Sequence, residues 1–130
     1  MRPAVAPAVL AVLLLTGCSV EPWNYLDEDQ KRDLRDNTSA YQQAVLEDLQ
    51  VTEDEYRQAV EDQRDCVAAA GANADEISSA DRRNLSFAYS FTAATEREAE
   101  VIQRTTDTCL HEFVDTVGRI WASQGTRLTE

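Results

Sequence analysis

Apolar positions recur along this chain with three helical stripes and one stretch of strict alternation. A first helix is expected from Asn24, a good N-cap with Asp27 three residues on. Leu34, Thr38, Tyr41, Val45 and Leu49 give it one face. A second is expected after Thr52, where Thr52 and Glu55 have capping-box spacing and acids fill the first turn. Its stripe is Tyr56, Ala59, Val60, Gln63, Cys66, Val67 and Ala70, and Gly71 stands where a helix-ending glycine belongs. A third is expected from the Thr95–Glu98 box to Gly125. Its stripe is Ile102, Thr106, Cys109, Leu110, Phe113, Val117, Ile120 and Trp121.

Between the last two helices, Leu85, Phe87, Tyr89 and Phe91 alternate with Ser86, Ala88, Ser90 and Thr92. Period two predicts a half-buried strand. A partner is expected at residues 75–80, with the turn near Arg82-Arg83, and Ile77 is its one strong apolar residue. The competing reading extends the third helix back through this stretch. The expected fold is α+β and mostly helical: a helix, then a helix–strand–strand–helix unit.

Charge narrows the partners. The 130 residues carry 24 acidic side chains against 12 basic ones, a net of −12. Phosphate binding needs a basic face, so nucleic acid is not an expected partner. The same balance argues against attraction to anionic lipid headgroups.

The N-terminus reads as a targeting segment. Arg2 precedes an uncharged run from Ala4 to Leu15, too short to span a bilayer but of signal-peptide length. Leu15-Thr16-Gly17-Cys18 then follows. This tetrapeptide resembles the lipobox of bacterial lipoproteins; the alternative is a plain signal peptide with a chance cysteine. The resemblance implies a signal peptide at residues 1–17, cleavage after Gly17 and a diacylglyceryl group on the Cys18 thiol. A thiolate is the best nucleophile a chain offers to alkyl transfer, and two acyl chains hold a protein on a membrane where one is marginal. It further implies a cell-envelope location on the extracytoplasmic face. Loss of Arg2 would leave 11 basic residues and a net charge of −13.

Residues 18–23 would then form a short tether. Ser19 to Trp23 spans about 17 Å at full extension, so the single domain at 24–130 would sit close to the membrane. Trp23 and Tyr25 suit either the headgroup level or one end of the core.

With Cys18 set aside, Cys66 and Cys109 are an even pair in an exported chain, where such pairs usually form a disulfide. Both lie on inward stripes, as a helix-to-helix bridge requires. The alternative is two free buried thiols. One histidine and no CxxC exclude a zinc pattern.

The segment from Tyr41 to Gly71 also resembles a unit in small exported proteins and lipoproteins of high-GC Gram-positive bacteria. In that unit a DG-x-[VI]-T-x-x-E-Y turn precedes a helix ending C-x-x-x-G. An aromatic strand and a second helical cysteine come later, as in YSF and TCLHEFVDTVGRIW here. This chain departs from it at Leu49, where the pattern has glycine. The resemblance implies fold and export and brings no activity.

Candidate chemistry is sparse. Read as an EF-hand with Glu55 at its last position, the turn has Val51 at the eighth. Ala44 and Leu46 stand where ligands belong, and Leu49 replaces the turn glycine. The capping box explains Thr52 and Glu55 without metal. In residues 27–36 acids alternate with Lys31, Arg32 and Arg35, as on a solvated helix face. His111, beside Cys109, reads as a surface residue. No GxSxG, SxxK or phosphate-cradling glycine loop occurs. No catalytic residue, metal ligand or cofactor is nominated. The expected role is a lipid-anchored, non-enzymatic module that binds an envelope protein. Phe87, Tyr89 and Phe91 are candidates for contact, although packing also explains them. A small-molecule or cation binder accessory to a transporter is the alternative, and a small hydrolase the third.

Overall fold

The computed structural model describes residues 25–81 and 83–125. Asn24 and Cys18 lie outside them. Asp27, not Asn24, caps the first helix, α1 (Glu28–Asp36). Its carboxylate accepts from Gln30 N at 2.8 Å, and Gln30 Oε1 accepts from Asp27 N at 3.0 Å.

The helix expected to continue to Leu49 breaks at residues 37–39. Asn37 Nδ2 donates back to Asp33 O at 2.7 Å, and Ser39 Oγ accepts from Gln42 N at 3.2 Å. These short polar side chains compete for backbone groups, ending one helix and capping α2 (Ala40–Val45). The buried face shifts accordingly. Gln42 and Leu46 are fully buried, while Tyr41 and Val45 are half-buried. Nor is α1 solvated throughout. Arg32 pairs with Glu28 and Asp29, but Lys31 is its buried residue, on a helix that meets α2 and the helix at Asp115–Gly125. A lysine stem lies readily along apolar surface.

At Leu49 the backbone turns with φ +60, while the side chain stays buried. Glycine is the usual occupant of such a conformation, as in the pattern this segment resembles. Leu49→Ala is expected to cost stability through lost burial. Leu49→Gly should then be more stable than Leu49→Ala by about 1 kcal/mol, the reverse of their usual order. Denaturant titration of both variants checks this; Leu49→Ala as the more stable would remove the strain argument.

The helix α3 (Glu53–Ala69) starts in the expected capping box: Thr52 Oγ1 accepts from Glu55 N at 3.1 Å and Glu55 Oε2 from Thr52 N at 2.9 Å. Gly71, φ +100, turns the chain out of it. A hairpin follows, not a helical extension. β1 (Asn73–Ala74) pairs antiparallel with β4 (Tyr89–Ser90), and β2 (Ser78–Asp81) with β3 (Asn84–Ser86). The arms meet at Asp81 and Asn84, where the turn was expected. The partner arm begins earlier than expected, at Asn73, and is interrupted at residues 75–77.

Thr95 Oγ1 accepts from Glu98 N at 3.1 Å to cap α4 (Glu96–Phe113), but the Glu98 carboxylate reaches Ala94 N, so the box is not closed as expected. The third helix is also broken. Val114 is the C-cap of α4, and α5 (Asp115–Gly125) begins at the next residue.

Leu26, Leu46, Val51, Tyr56, Ala59, Val60, Val117 and Ile120 form the main core between α2, α3 and α5. A smaller cluster of Val67, Ala72 and Cys109 lies under Phe87 and Phe91. The mostly helical α+β fold, with its helix–hairpin–helix unit, is thus observed, carried by five helices among the described residues. None of these is long and apolar enough to cross a membrane.

Candidate functional site

Cys66 of α3 and Cys109 of α4, 43 positions apart in sequence, are joined, with Cα atoms 5.7 Å apart. Cys109 is fully buried, and its sulfur is spent in the bridge, so no cysteine–histidine nucleophile exists here. The bridge ties the helices flanking the hairpin, and Phe87 and Phe91 pack over it.

Tyr89 stands beside this cluster and is 39% exposed. Its hydroxyl lies 3.4 Å from Thr106 Oγ1 and accepts from Gln103 Nε2 at 3.3 Å, so the ring is held against α4. Phe87 and Phe91 are half-buried. Of the three aromatics, Tyr89 is the one presented to solvent.

The break between α4 and α5 holds a buried polar centre that sequence reasoning missed. Gln42 reaches it from α2. Its Nε2 donates to His111 O and to Asp115 Oδ1, each at 2.8 Å; its Oε1 accepts from Thr116 N and Val117 N, each at 2.9 Å. One side chain thereby satisfies carbonyl and amide groups that the break releases from the helical ladder. Asp115 Oδ2 meets His111 Nδ1 at 2.8 Å. Partial burial pushes the Asp115 carboxyl upward. Hydrogen bonds from His111, Gln42 and Thr116 outweigh that and hold it below the usual aspartate value. His111 itself stays on the surface, its side chain 69% exposed. The available signal was Gln42 four residues before Leu46, an uncharged polar residue on an apolar face.

Two further clasps bind distant segments. Gln124 of α5 holds Val51 at both groups, accepting from N at 2.8 Å and donating to O at 2.7 Å. Trp121 stacks on Tyr56 at 5.3 Å and lies 4.4 Å beneath the Arg83 guanidinium. Trp121 Nε1 donates to Arg83 O, and Arg83 Nη2 to Trp121 O. On α2, burial and a 2.6 Å hydrogen bond to Asp62 raise the Tyr41 hydroxyl above the ordinary tyrosine range.

Open clefts also lie among the described residues. One, of about 470 Å³, is lined by Arg57, Glu61, Arg64, Asp65, Glu76 and Ile77. Its Arg64 is already bound to Asp75 O and Ala74 O. Another, of about 330 Å³, is lined by Ala44, Val45, Glu47, Asp48 and Glu55. Here Asp48 accepts from Gln50 N and Glu55 from Thr52 N. The residues of the EF-hand reading are thus engaged elsewhere. Leu46 and Leu49 are core, and Val51 is clasped by Gln124. Among the described residues no three His, Cys, Asp or Glu side chains group as a metal set.

Set against known proteins, the chain matches no family model, no curated sequence and no solved structure.

Proposed function

We propose that this chain is a lipid-anchored lipoprotein of the bacterial cell envelope whose small domain is an extracytoplasmic, non-enzymatic protein-interaction module. One observation carries the reading. Cys66 and Cys109 are bridged, and the third cysteine, Cys18, stands in a lipobox-like tetrapeptide after an uncharged run. A buried bridge suits an oxidising compartment, and Cys18 suits an anchor. The described side chains support binding over chemistry. Cys109 is bonded, His111 is engaged by Asp115, and the most exposed member of the aromatic strand is Tyr89.

A second reading, a cation- or small-molecule-binding lipoprotein accessory to a transporter, draws on the cleft at Glu47, Asp48 and Glu55. Two of those carboxylates already hold backbone amides, which weighs against it.

Cell fractionation of Cys18→Ser tests the anchor. The expected result is release from the membrane or an uncut precursor; a processed variant that stays on the membrane would overturn lipidation. Crosslinking in intact cells, with mass spectrometry of captured species, tests the interaction. A specific envelope protein should accompany the wild type. Recovery of the protein alone, with a saturable thermal shift on a defined small ligand, would favour the second reading.

A further inference from the structure

We propose that the outer edge of β4, with its flanking residues Phe87 and Phe91, accepts an extended, lysine- or arginine-bearing segment of a partner protein as an added β-strand. This rests on the interaction-module reading and supplies the chemistry of its partner.

The register exposes the edge. Ala74 lies opposite Tyr89 and Asn73 opposite Ser90, and Asp75 N donates to Ala88 O at 2.8 Å. Ala88 and Ser90 therefore turn their backbone groups toward the first arm of the hairpin. Phe87, Tyr89 and Phe91 turn theirs the other way. At Leu85, on that same outward side, the Tyr56 hydroxyl answers the backbone, 3.3 Å from N and 3.5 Å from O. No such group answers the outward amides and carbonyls of Phe87, Tyr89 and Phe91 among the described residues. Ala88, Tyr89 and Ser90 are exposed, and the sheet at this level has two strands only.

The edge is also unguarded. Asn84 to Thr95 is the longest charge-free run beyond Cys18, and it holds neither proline nor glycine. Edge strands are ordinarily protected by charge, proline or a bulge. The irregularities of this hairpin lie on the other arm, at residues 75–77 and between Ser79 and Asp81. The Gln103 and Thr106 contacts fix the Tyr89 ring, so the edge is set before any strand arrives.

Charge selects the occupant. Gln103 Nε2 also donates to Asp107 Oδ1 at 3.1 Å, which places that carboxylate beside Tyr89. Glu98 Oε2 accepts from Ala94 N, which places a second one where the strand leaves. Neither carboxylate is in an ion pair among the described residues. A second copy of this chain, net −12, would set like charges against each other; a basic extended segment would meet complementary ones.

The test uses the disulfide-bonded protein and two peptides of alternating valine and threonine, one flanked by lysines and one by glutamates. Residue-resolved hydrogen exchange is the readout. The lysine peptide should slow exchange about tenfold or more at the amides of Phe87, Tyr89 and Phe91, and the glutamate peptide should not. Tyr89→Pro removes an amide that β1 does not use, so the fold should persist while protection is lost. Tyr89→Lys keeps the amide but places a like charge before the lysine peptide, and should weaken binding. Absence of protection at saturating lysine peptide, or equal protection by both peptides, would overturn the proposal. So would protection that rises with protein concentration alone. A partner captured in cells equally by wild type and Tyr89→Pro also overturns the edge assignment and leaves the interaction reading standing. Peptide protection with no partner in cells does the opposite.

Discussion

Loss of the Cys66–Cys109 bridge is expected to destabilise the domain by about 4 kcal/mol, on the order of the chain-entropy term for a loop of this length. The double variant Cys66→Ala, Cys109→Ala leaves no lone thiol in the cluster and isolates the cross-link. For a domain of this size, that loss corresponds to a midpoint about 20 °C lower in a thermal melt followed by circular dichroism. The effect is large because few side chains share the work at that end of the molecule. Among the described residues the buried cluster there is Val67, Ala72 and Cys109, with half-buried Phe87 and Phe91 above them. Small domains have little stability to spare. A variant melting within a few degrees of wild type would mean that α3 and α4 are held by packing alone.

Gln42→Leu should be the most damaging single change away from the bridge. Leucine keeps the bulk but offers neither donor nor acceptor. The amides of Thr116 and Val117 and the carbonyl of His111 would each lose their Gln42 contact in a site the mutation leaves dry. Stranded buried polar groups cost about 1–3 kcal/mol each, and Asp115 still serves Thr116 N, so a total of about 3 kcal/mol is expected. Gln42→Glu tests the direction of the amide. It places a carboxylate oxygen where Nε2 now meets Asp115 Oδ1, oxygen against oxygen, and should be destabilising at neutral pH.

Acid exposes the same centre. The folded Asp115 carboxyl titrates below its ordinary value. Its stabilising contribution is therefore complete above the unfolded value, about 3.9, and is lost as pH falls through the folded one. Gln42→Leu removes one of the bonds holding it down, so the variant should lose less stability than wild type over that acid range. Chemical denaturation at pH values spanning the carboxylate range checks this, and parallel losses in the two proteins would count against a part for Asp115.

The elements legible in sequence were those written in local code. Thr52 and Glu55 announce α3, Gly71 its end, and the alternation from Leu85 to Phe91 the second arm of the hairpin, β3 and β4. Cys66 and Cys109 could be paired because so few cysteines compete. The two helix breaks were not legible for different reasons. The first is local: Asn37 and Ser39 carry the terminator and the cap, but the apolar spacing runs straight across them. The second is tertiary. Nothing at Val114 in sequence terminates a helix; the released groups are satisfied by Gln42, more than seventy positions away. Sequence distance also hid Gln124 at Val51, 73 positions away, and Arg83 over Trp121, 38 positions away. The candidate site was half visible: the aromatics were read from their period, while which one faces solvent depends on how α4 holds Tyr89.

The clasps of α5 also govern the order in which the chain acquires its structure. Val51 waits on Gln124, 73 positions later, and Gln42 on Val117, 75 positions later. The first third of the domain therefore has no complete core until the last helix has emerged, and it cannot lock in place as it is made. Long-range closures of this kind slow folding relative to a bundle of neighbouring helices. Refolding should be cooperative, with the environment of Trp121 and the ordering of α1 and α2 appearing in a single kinetic phase.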